Sequence, residues 1–551
     1  MKSKKIIILL FILIFGIAYF VRIYKLSQIP AGVFLDEASL GYNAYSLLLT
    51  GKDEYGKVFP LLLRSFATFQ SPLYSYLSTI PVYFLSLSIF STRLLSVISG
   101  MVVVLATFLL FYLSNLKSKS SLALIAATLV AFSPWSIFVS RVAVEANLGL
   151  ALTTIAILLL ALSLKKRWCF ILSCLVFSFS GYAYHANRII GILLPLAFLF
   201  INRKTFFQSK KWVIIGLVLF LLIQTPNIVL LAKPGSMGRF QTQGYIQKST
   251  FEKYGGSLAK LPVLGWPLYI ARQFTSQYLS DFSPRSLFFE PEPQLVRSIP
   301  NLSVFYMWMI IPFFIGFAKI WKEKSNSLIQ IIFLVIIIGP LPEALTGDPF
   351  YTLRMLAGIW GMTLMIAFGV KVIFHKLKYN YVKILLAALL IVISGLNFYI
   401  SYFILLKHER SIWYGYPFEV LAQMTEENKN QTFILDSEIY DAPYIWMAFY
   451  KKYDPAKLQR QTPDGLLDHY YDDLTFYKYR VIDNVQVRKI NWGVDQCKDE
   501  YIVGDLTAVS ASQARDHRFT LVREIKDLND KTILWVYHTN PQLKCGNGID
   551  I

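Results

Sequence analysis

About a dozen apolar segments occupy the sequence before residue 405, each close to the ~20 residues that an α-helix needs to cross a bilayer core of ~30 Å. The composition agrees with these segments, because 55% of the residues are hydrophobic, 16% are charged, and the mean hydropathy is +0.48. A soluble chain does not carry such a pattern. The sequence therefore predicts a polytopic α-helical membrane protein.

The net charge of +20 does not point to a nucleic-acid partner here. Lys and Arg lie largely in short loops between the apolar segments, where they set the orientation of the helices in the membrane. The N-terminal sequence MKSKK precedes an apolar run without a clear small-residue cleavage site. We therefore predict a retained first helix with the N-terminus in the cytoplasm.

The segment 73–90 decides the predicted topology. If it crossed the membrane, the basic loops after it would lie outside; if it is a juxtamembrane helix, those loops become cytoplasmic, as the positive-inside rule prefers. We take the second solution, which gives about eleven spans. The predicted spans are 6–22, 93–114, 121–139, 147–164, 168–184, 187–202, 212–231, 301–321, 327–343, 354–373 and 383–405.

This topology predicts a transmembrane domain at 1–405 and a C-terminal extracytoplasmic domain at 406–551. The first domain has two large outer loops, at 23–92 and 232–300, and the second loop is rich in Gly, Pro and aromatic residues, which suits a lid or an acceptor groove. The tail mixes strand patterns (QTFILD and TILWVYHT) with a helical pattern near Tyr444 to Tyr450, so we predict a small α/β domain.

The four cysteines carry no metal-binding spacing. Cys169 and Cys174 fall in an apolar span, whereas Cys497 and Cys545 lie in the tail. A disulfide between the tail cysteines suits an oxidising compartment, and the sequence leaves its formation open.

Several ionisable residues fall on the predicted outer face of the membrane. Such residues are costly at membrane depth, so their accumulation at one face predicts a functional site, although any single one could be a turn cap or an interface anchor. These residues are Asp36, Glu37, Arg141, Glu145, His185, Arg188, Asp348 and Arg354.

Three motifs occur in order: DEASLGYNAYSLLLTGKDEYGKVFP, SPLYSYLSTIPVYFLSLSIFSTRLLSVISG and SPWSIFVSRVAVEANLGL. Together they resemble the polyprenyl-phosphate-sugar dependent glycosyltransferases of the GT-C fold, which include protein O-mannosyltransferases and the lipid A aminoarabinose transferase. The resemblance covers residues 1–230 well and the helices after 300 thinly. It implies an inverting transfer of a sugar from a polyprenyl-phosphate donor to a hydroxyl group at the extracytoplasmic face of the plasma membrane.

The resemblance places Asp36 at the catalytic position of the family, as the general base that accepts the proton of the acceptor hydroxyl. Glu145 matches the second acidic position of the family, and Glu37 is a further catalytic candidate beside the base. A local ion pair between Arg141 and Glu145 is the alternative role for these two residues.

A leaving phosphate needs cationic donors around it. The candidates for this role are Arg141, His185, Arg188, Arg354 and Arg64.

The aminoarabinose transferase carries a phosphate-binding Lys just before its paired prolines, whereas this chain has Gln70 before Ser71 and Pro72, with Arg64 as a substitute. Asp53 and Glu54 in the same loop are either functional or a solvated acidic pair.

We predict no obligatory cofactor, with Mg²⁺ or Mn²⁺ on the oxygens of Asp36, Glu37 and Glu145 as the alternative. The expected partners are a polyprenyl-phosphate-linked sugar, membrane lipid, and a hydroxyl acceptor on a protein, a lipid or a cell-envelope glycan, but not nucleic acid. A transporter or flippase of lipid-linked sugars, and a non-catalytic membrane scaffold, are the two alternative functions.

Overall fold

A computed structural model describes residues 2–116, 119–207, 210–233, 244–348, 350–438 and 442–546. The chain folds as two compact units. The helical unit comprises Met1–Tyr24 and Leu94–Ser401, and the sheet unit comprises Lys25–Arg93 and Tyr402–Ile551. The first outer loop thus belongs with the C-terminal tail, whereas the sequence had assigned it to the domain 1–405.

The α-helices are numbered here in chain order. They are α1 Lys2–Ile23, α2 Leu35–Thr50, α3 Leu73–Leu85, α4 Ile89–Tyr112, α5 Lys119–Phe132, α6 Pro134–Arg141, α7 Glu145–Leu162, α8 Cys169–Ala183, α9 Ala186–Ile201, α10 Arg203–Phe207, α11 Lys210–Leu231, α12 Lys248–Tyr254, α13 Gly265–Ser280, α14 Ile310–Lys322, α15 Ser327–Ile338, α16 Leu341–Ala344, α17 Leu356–Lys376, α18 Asn380–Phe398, α19 Leu406–Glu409, α20 Tyr416–Glu427, α21 Pro443–Tyr450, α22 Pro455–Gln459, α23 Ala511–Asp516 and α24 Pro541–Cys545. Short 3₁₀ and π turns lie at Gly256–Lys260, Arg285–Phe289, Leu295–Arg297, Met307–Met309, Tyr399–Leu405 and Asp495–Cys497.

Each predicted span overlaps one or more of these helices, and the span 301–321 does so only from Ile310, where α14 begins. Within the described ranges, seven helices are long and apolar enough to cross a membrane, or eight if α5 and α6, bent by 55°, form one span. The bend falls at Pro134, which begins α6 and cannot donate a backbone hydrogen bond. The prediction of a polytopic α-helical membrane protein is confirmed.

The segment 73–90 contains α3, which has 13 residues and ends four residues before α4 begins. At 1.5 Å per residue this helix is about 20 Å long, which is shorter than the hydrocarbon core. Its large apolar side chains Ile80, Tyr83 and Phe84 are exposed. These features suit the predicted juxtamembrane helix.

The close packing of α14 against α17, in the helical unit, depends on two glycines. A Cβ atom on Gly316 of α14 would collide with the Met365 carbonyl oxygen of α17, and one on Gly369 would collide with the Pro312 carbonyl oxygen. The two backbones therefore approach to a distance that only glycine allows.

The sheet unit is built on a mixed sheet of six strands in the order β4-β5-β3-β6-β8-β7. The strands β5, β3 and β6 are parallel, with Phe433 of β3 paired to Val485 and Tyr501, and the outer pairs are antiparallel. A separate hairpin, β1 with β2, lies in the first outer loop. The strands are β1 Leu63–Ser65, β2 Thr68–Gln70, β3 Phe433–Leu435, β4 Arg480–Ile482, β5 Val485–Val487, β6 Tyr501–Gly504, β7 Thr520–Lys526 and β8 Thr532–His538.

The tail has the predicted α/β character, because QTFILD forms β3, TILWVYHT forms β8, and the helical pattern forms α21. The side chains of α2 and α21 share one apolar core with the sheet. The hydrogen bonds that join the loop to the tail include those from Val33 N to Tyr450 Oη (3.1 Å) and from Trp446 Nε1 to Val33 O (2.9 Å). This shared core explains why the first outer loop groups with the tail.

Cys497 and Cys545, whose pairing the sequence left open, form a disulfide across a sequence separation of 48 residues. Closing a loop of this length is expected to stabilise the fold by about 4 kcal/mol.

We expect the double variant Cys497→Ser, Cys545→Ser to unfold at a lower temperature than the wild type, as followed by tryptophan fluorescence in detergent. Reductant should lower the melting temperature of the wild type and not that of the variant; equal melting temperatures for both proteins would contradict a stabilising bridge.

Candidate active site

The predicted base, Asp36, lies in the first turn of α2 and is partly exposed. The Gln70 side chain, at the end of β2, donates a hydrogen bond from Nε2 to Asp36 Oδ1 over 3.2 Å. Gln70, which precedes Ser71 and Pro72, therefore contacts the predicted base.

Glu37 and Arg93 form a fully buried, bidentate ion pair, with Nε to Oε1 and Nη2 to Oε2 both at 2.9 Å. Glu37 Oε2 also accepts the Phe34 N–H at the start of α2 (2.9 Å). The Arg93 guanidinium donates further to the carbonyl oxygens of Leu26, Pro30 and Gly32. These contacts suit a structural role for Glu37, which holds the first turn of α2 beside Asp36.

Asp53 and Glu54 are buried, at 0% and 2% exposure, so the interpretation as a solvated acidic pair is wrong. Asp53 accepts hydrogen bonds from the backbone N–H groups of Tyr55 and Lys57 and from the Tyr470 hydroxyl. Glu54 accepts from Asn43 Nδ2 (3.2 Å) and from the Tyr444 hydroxyl (3.1 Å). This burial has no local signal in the sequence, because both tyrosines lie some 400 residues away in the tail.

Burial raises the pKa of Asp53 to about 6, against the opposing effect of its hydrogen bonds. Burial and then the neighbouring Asp53 charge raise the pKa of Glu54 to about 7. Both carboxyl groups thus hold their protons more tightly in the folded chain than at their ordinary values of 3.8 and 4.5.

These raised pKa values predict how stability changes with pH. Between about pH 4 and pH 7 the unfolded chain releases protons that the folded chain retains, so the stabilisation present at low pH is lost as pH rises through this window. In Glu54→Gln the free energy of unfolding should decline less steeply with pH, with a difference of up to about 3 kcal/mol at pH 8. Melting temperatures from pH 4.5 to pH 8 test this, with exposed Glu427→Gln as the control; parallel curves for wild type and Glu54→Gln would refute it.

Arg64 is buried, at 1% exposure, and its guanidinium bonds to the tail. It donates to the carbonyl oxygens of Tyr470 (3.3 Å), Asp473 (2.5 Å) and Thr475 (2.5 Å). This arrangement favours a structural role, which fixes the tail segment against the first outer loop, over the predicted phosphate contact.

In the helical unit, Arg141 ends α6 and is fully buried. Its Nη1 donates to the carbonyl oxygens of Val21 (2.7 Å) and Arg22 (2.9 Å) at the end of α1. These contacts satisfy helix carbonyl groups that lack an intrahelical partner, so they favour for Arg141 the cap role that was open to each ionisable residue of the predicted outer face.

Glu145 begins α7, where a carboxylate is favourable at the positive end of the helix dipole. Arg188, in the first turn of α9, attracts Glu145 electrostatically, and its Nε donates to Gly181 O (3.3 Å). His185 precedes α9 and its ring lies 4.3 Å from the ring centroid of Tyr184. The structure thus brings together Glu145 and Arg188, which the sequence placed in separate loops.

Arg354 donates from Nη1 to Thr346 Oγ1 (2.7 Å) and to Asp348 Oδ2 (3.1 Å). The guanidinium carbon of Arg354 lies 4.0 Å from the ring centroid of Tyr351, and that of Arg297 lies 3.4 Å from the same ring. Two cations therefore share one aromatic ring.

Arg297 was not predicted from the sequence as a site residue. Its Nε donates to Glu292 Oε1 (2.6 Å). Burial lowers the pKa of Arg297, but the attraction of Glu292, Tyr351 and Tyr184 outweighs burial and raises it overall. Arg297 therefore lies beside the segment around Arg354, through the ring of Tyr351. Its loop lies outside the resemblance, and it has no motif of its own.

A second missed feature is a pair of buried carboxyl groups, Asp281 and Glu343. Burial and the neighbouring Glu343 carboxylate raise the pKa of Asp281 well above its usual range. Glu343 Oε1 also accepts the Tyr351 N–H (3.3 Å). An acidic residue in the apolar run IIIGPLPEAL was the signal that could have found this site.

The described residues contain no group of three or more His, Cys, Asp or Glu side chains placed to hold a metal ion. The oxygens of Asp36, Glu37 and Glu145 remain the predicted donors for Mg²⁺ or Mn²⁺, the alternative to a reaction without metal. In the sheet unit, both carboxylate oxygens of Glu37 already accept hydrogen bonds from Arg93.

The chain is a polytopic membrane protein of the GT-C fold, as the sequence motifs predicted. It is similar to the crystal structure of ArnT from Cupriavidus metallidurans in the apo state, with a TM-score of 0.55 and 9% sequence identity; the alignment covers 98% of this chain and 99% of ArnT. It is also similar to the crystal structure of ArnT bound to undecaprenyl phosphate, with a TM-score of 0.56 and 10% identity, over 97% of this chain and 98% of ArnT. The archaeal oligosaccharyltransferase AglB from Archaeoglobus fulgidus, in complex with an inhibitory peptide and a dolichol-phosphate, aligns at a TM-score of 0.47 and 14% identity, over 81% of this chain and 64% of that one. The sequence matches no protein-family profile and no curated protein.

Proposed function

We propose that this protein is a membrane glycosyltransferase that moves a sugar from a polyprenyl-phosphate-linked donor to a hydroxyl acceptor, with inversion and with Asp36 as general base. The observation that carries the proposal is the position of Asp36. It lies in the first turn of α2, with its carboxylate bonded to Gln70, in a chain that shares the fold of ArnT along nearly its whole length. ArnT from Cupriavidus metallidurans has been crystallised bound to undecaprenyl phosphate.

Asp36 has the chemistry that the attack requires. An alcohol is a weak nucleophile near neutral pH, so a carboxylate within hydrogen-bond reach of its proton accelerates the reaction. The acceptor oxygen then forms a bond to the anomeric carbon as the bond from that carbon to the phosphate oxygen breaks. The proton passes to Asp36, and the lipid phosphate leaves with the bonding electrons.

The leaving phosphate gains negative charge, which cationic donors stabilise. Arg354 and Arg297 present two guanidinium groups around Tyr351, and Arg188 lies near Glu145 in the same unit. We assign the phosphate-binding role to Arg188, Arg297 and Arg354, and we keep His185 as a candidate. Arg141 and Arg64 already bond to backbone carbonyl oxygens.

We assign the reaction to the extracytoplasmic face of the plasma membrane, with the N-terminus in the cytoplasm. The disulfide between Cys497 and Cys545 supports this side, because disulfides persist in oxidising compartments. The apolar helices and the distribution of basic loops support a multi-pass orientation of this kind.

The test is sugar transfer by the purified full-length protein in detergent, with a panel of polyprenyl-phosphate-linked sugars, with and without EDTA. Turnover of one donor, or release of its sugar to water, would support the transferase and name the sugar. Retained turnover in EDTA would support a reaction without an obligatory metal. Donor binding without turnover, in detergent and in vesicles, would instead favour a transporter of lipid-linked sugars.

A further inference from the structure

We propose that Gln70 is a positioning residue that orients the Asp36 carboxylate, and that Ser39, Asn43 and Glu54 fix the orientation of Gln70. We call Ser39, Asn43, Glu54 and Gln70 the α2 network. The inference deepens the proposed function and rests on Asp36 being the general base.

The α2 network follows one face of a helix. One face of α2 carries three of the polar side chains, because Ser39 follows Asp36 by three residues and Asn43 follows Ser39 by four. Gln70 and Glu54 come from the adjoining loop. The four network residues are buried, at 2% exposure or less, so water does not compete for their hydrogen bonds.

The direction of each hydrogen bond is set by its neighbour. The Glu54 N–H donates to Asn43 Oδ1 (3.0 Å), which turns Asn43 Nδ2 toward Glu54 Oε1 (3.2 Å). Asn43 Nδ2 also donates to Ser39 O (3.0 Å), with a longer contact to Ser39 Oγ (3.4 Å). The Ser39 hydroxyl donates to Gln70 Oε1 (3.4 Å). The Gln70 amide then presents Nε2, and not its oxygen, to Asp36 Oδ1 at 3.2 Å.

This directionality decides which group faces the base. A reversed Gln70 amide would place an oxygen against the Asp36 carboxylate and would leave Ser39 without an acceptor. The Tyr444 hydroxyl donates to Glu54 Oε2 (3.1 Å), so the tail anchors the end of the network that lies farthest from Asp36. The result is a base with one oxygen held in place by a buried amide donor.

The activity test compares Gln70→Leu, Ser39→Ala and the double variant in the full-length protein, with the donor that the wild type turns over. We expect Gln70→Leu to lower kcat about tenfold to a hundredfold with KM nearly unchanged. The acidic limb of its pH–rate profile should move to higher pH, because a carboxylate that loses an N–H donor binds a proton more readily. Ser39→Ala should cost less, and the double variant should match Gln70→Leu, because Ser39 acts only through Gln70.

Thr68→Val, in the same strand as Gln70 and outside the network, is the matched control. Additive losses in the double variant, or a loss in Gln70→Leu with no change in the pH–rate profile, would overturn the inference.

A second measurement does not need sugar transfer. Carbodiimide labels protonated carboxyl groups, so mass spectrometry of the Asp36 peptide across pH reports how readily Asp36 binds a proton. The labelling midpoint should rise in Gln70→Leu and stay unchanged in Thr68→Val. If that shift appears while no donor turns over in the wild type, the proposed function fails and the positioning contact stands; an unchanged midpoint in Gln70→Leu overturns the inference itself.

Discussion

Asp36→Asn is expected to lower sugar transfer by about 10²- to 10⁴-fold, the usual contribution of a general base. Asn has nearly the same shape, and its amide oxygen can still accept the hydrogen bond that Gln70 Nε2 donates over 3.2 Å. It cannot take the proton of the acceptor hydroxyl. The substitution therefore removes the chemistry while it keeps the contacts around α2.

The measurement is initial rate of transfer from the donor that the wild-type panel identifies, with the melting temperature as a check on folding. Asp464→Asn, at an exposed position of the tail, is the matched control and should transfer at the wild-type rate. An Asp36→Asn protein that melts normally and transfers within a few-fold of the wild type would exclude Asp36 as the base.

The largest expected effect on stability is that of Glu37→Gln. Arg93 is buried at 0% exposure, and two of its guanidinium nitrogens each donate to a carboxylate oxygen of Glu37 over 2.9 Å. Removing one partner of such a pair leaves a buried charge uncompensated, which typically costs about 3–5 kcal/mol. We expect a large fall in melting temperature, measured by tryptophan fluorescence in detergent, and a protein that expresses poorly.

Two comparisons isolate the ion pair in this prediction. The double variant Glu37→Gln, Arg93→Met should lose less stability than the sum of the single variants, because neither charge is then left alone. Glu290→Gln breaks the exposed pair with Arg285 and should leave the melting temperature unchanged. If Glu37→Gln melted like Glu290→Gln, the pair would not hold the start of α2.

The membrane class, the helices and the character of the tail could be predicted from the sequence because they depend on local patterns. A run of apolar residues specifies a helix in a bilayer whatever surrounds it, and basic loops set its orientation. The strands QTFILD and TILWVYHT were also local. Asp36 was predicted as the base through the family resemblance, and the motif that carries it lies within a single loop.

Only the tertiary structure decided which of the polar residues are engaged elsewhere. Arg64, Asp53 and Glu54 looked like loop residues, but the tail buries them and contributes Tyr444 and Tyr470 to their hydrogen bonds. Arg297 and Asp281 carry no motif, and their partners lie in other segments. Burial and pairing across hundreds of residues depend on how the segments pack, and a sequence read along the chain contains no local signal for that packing.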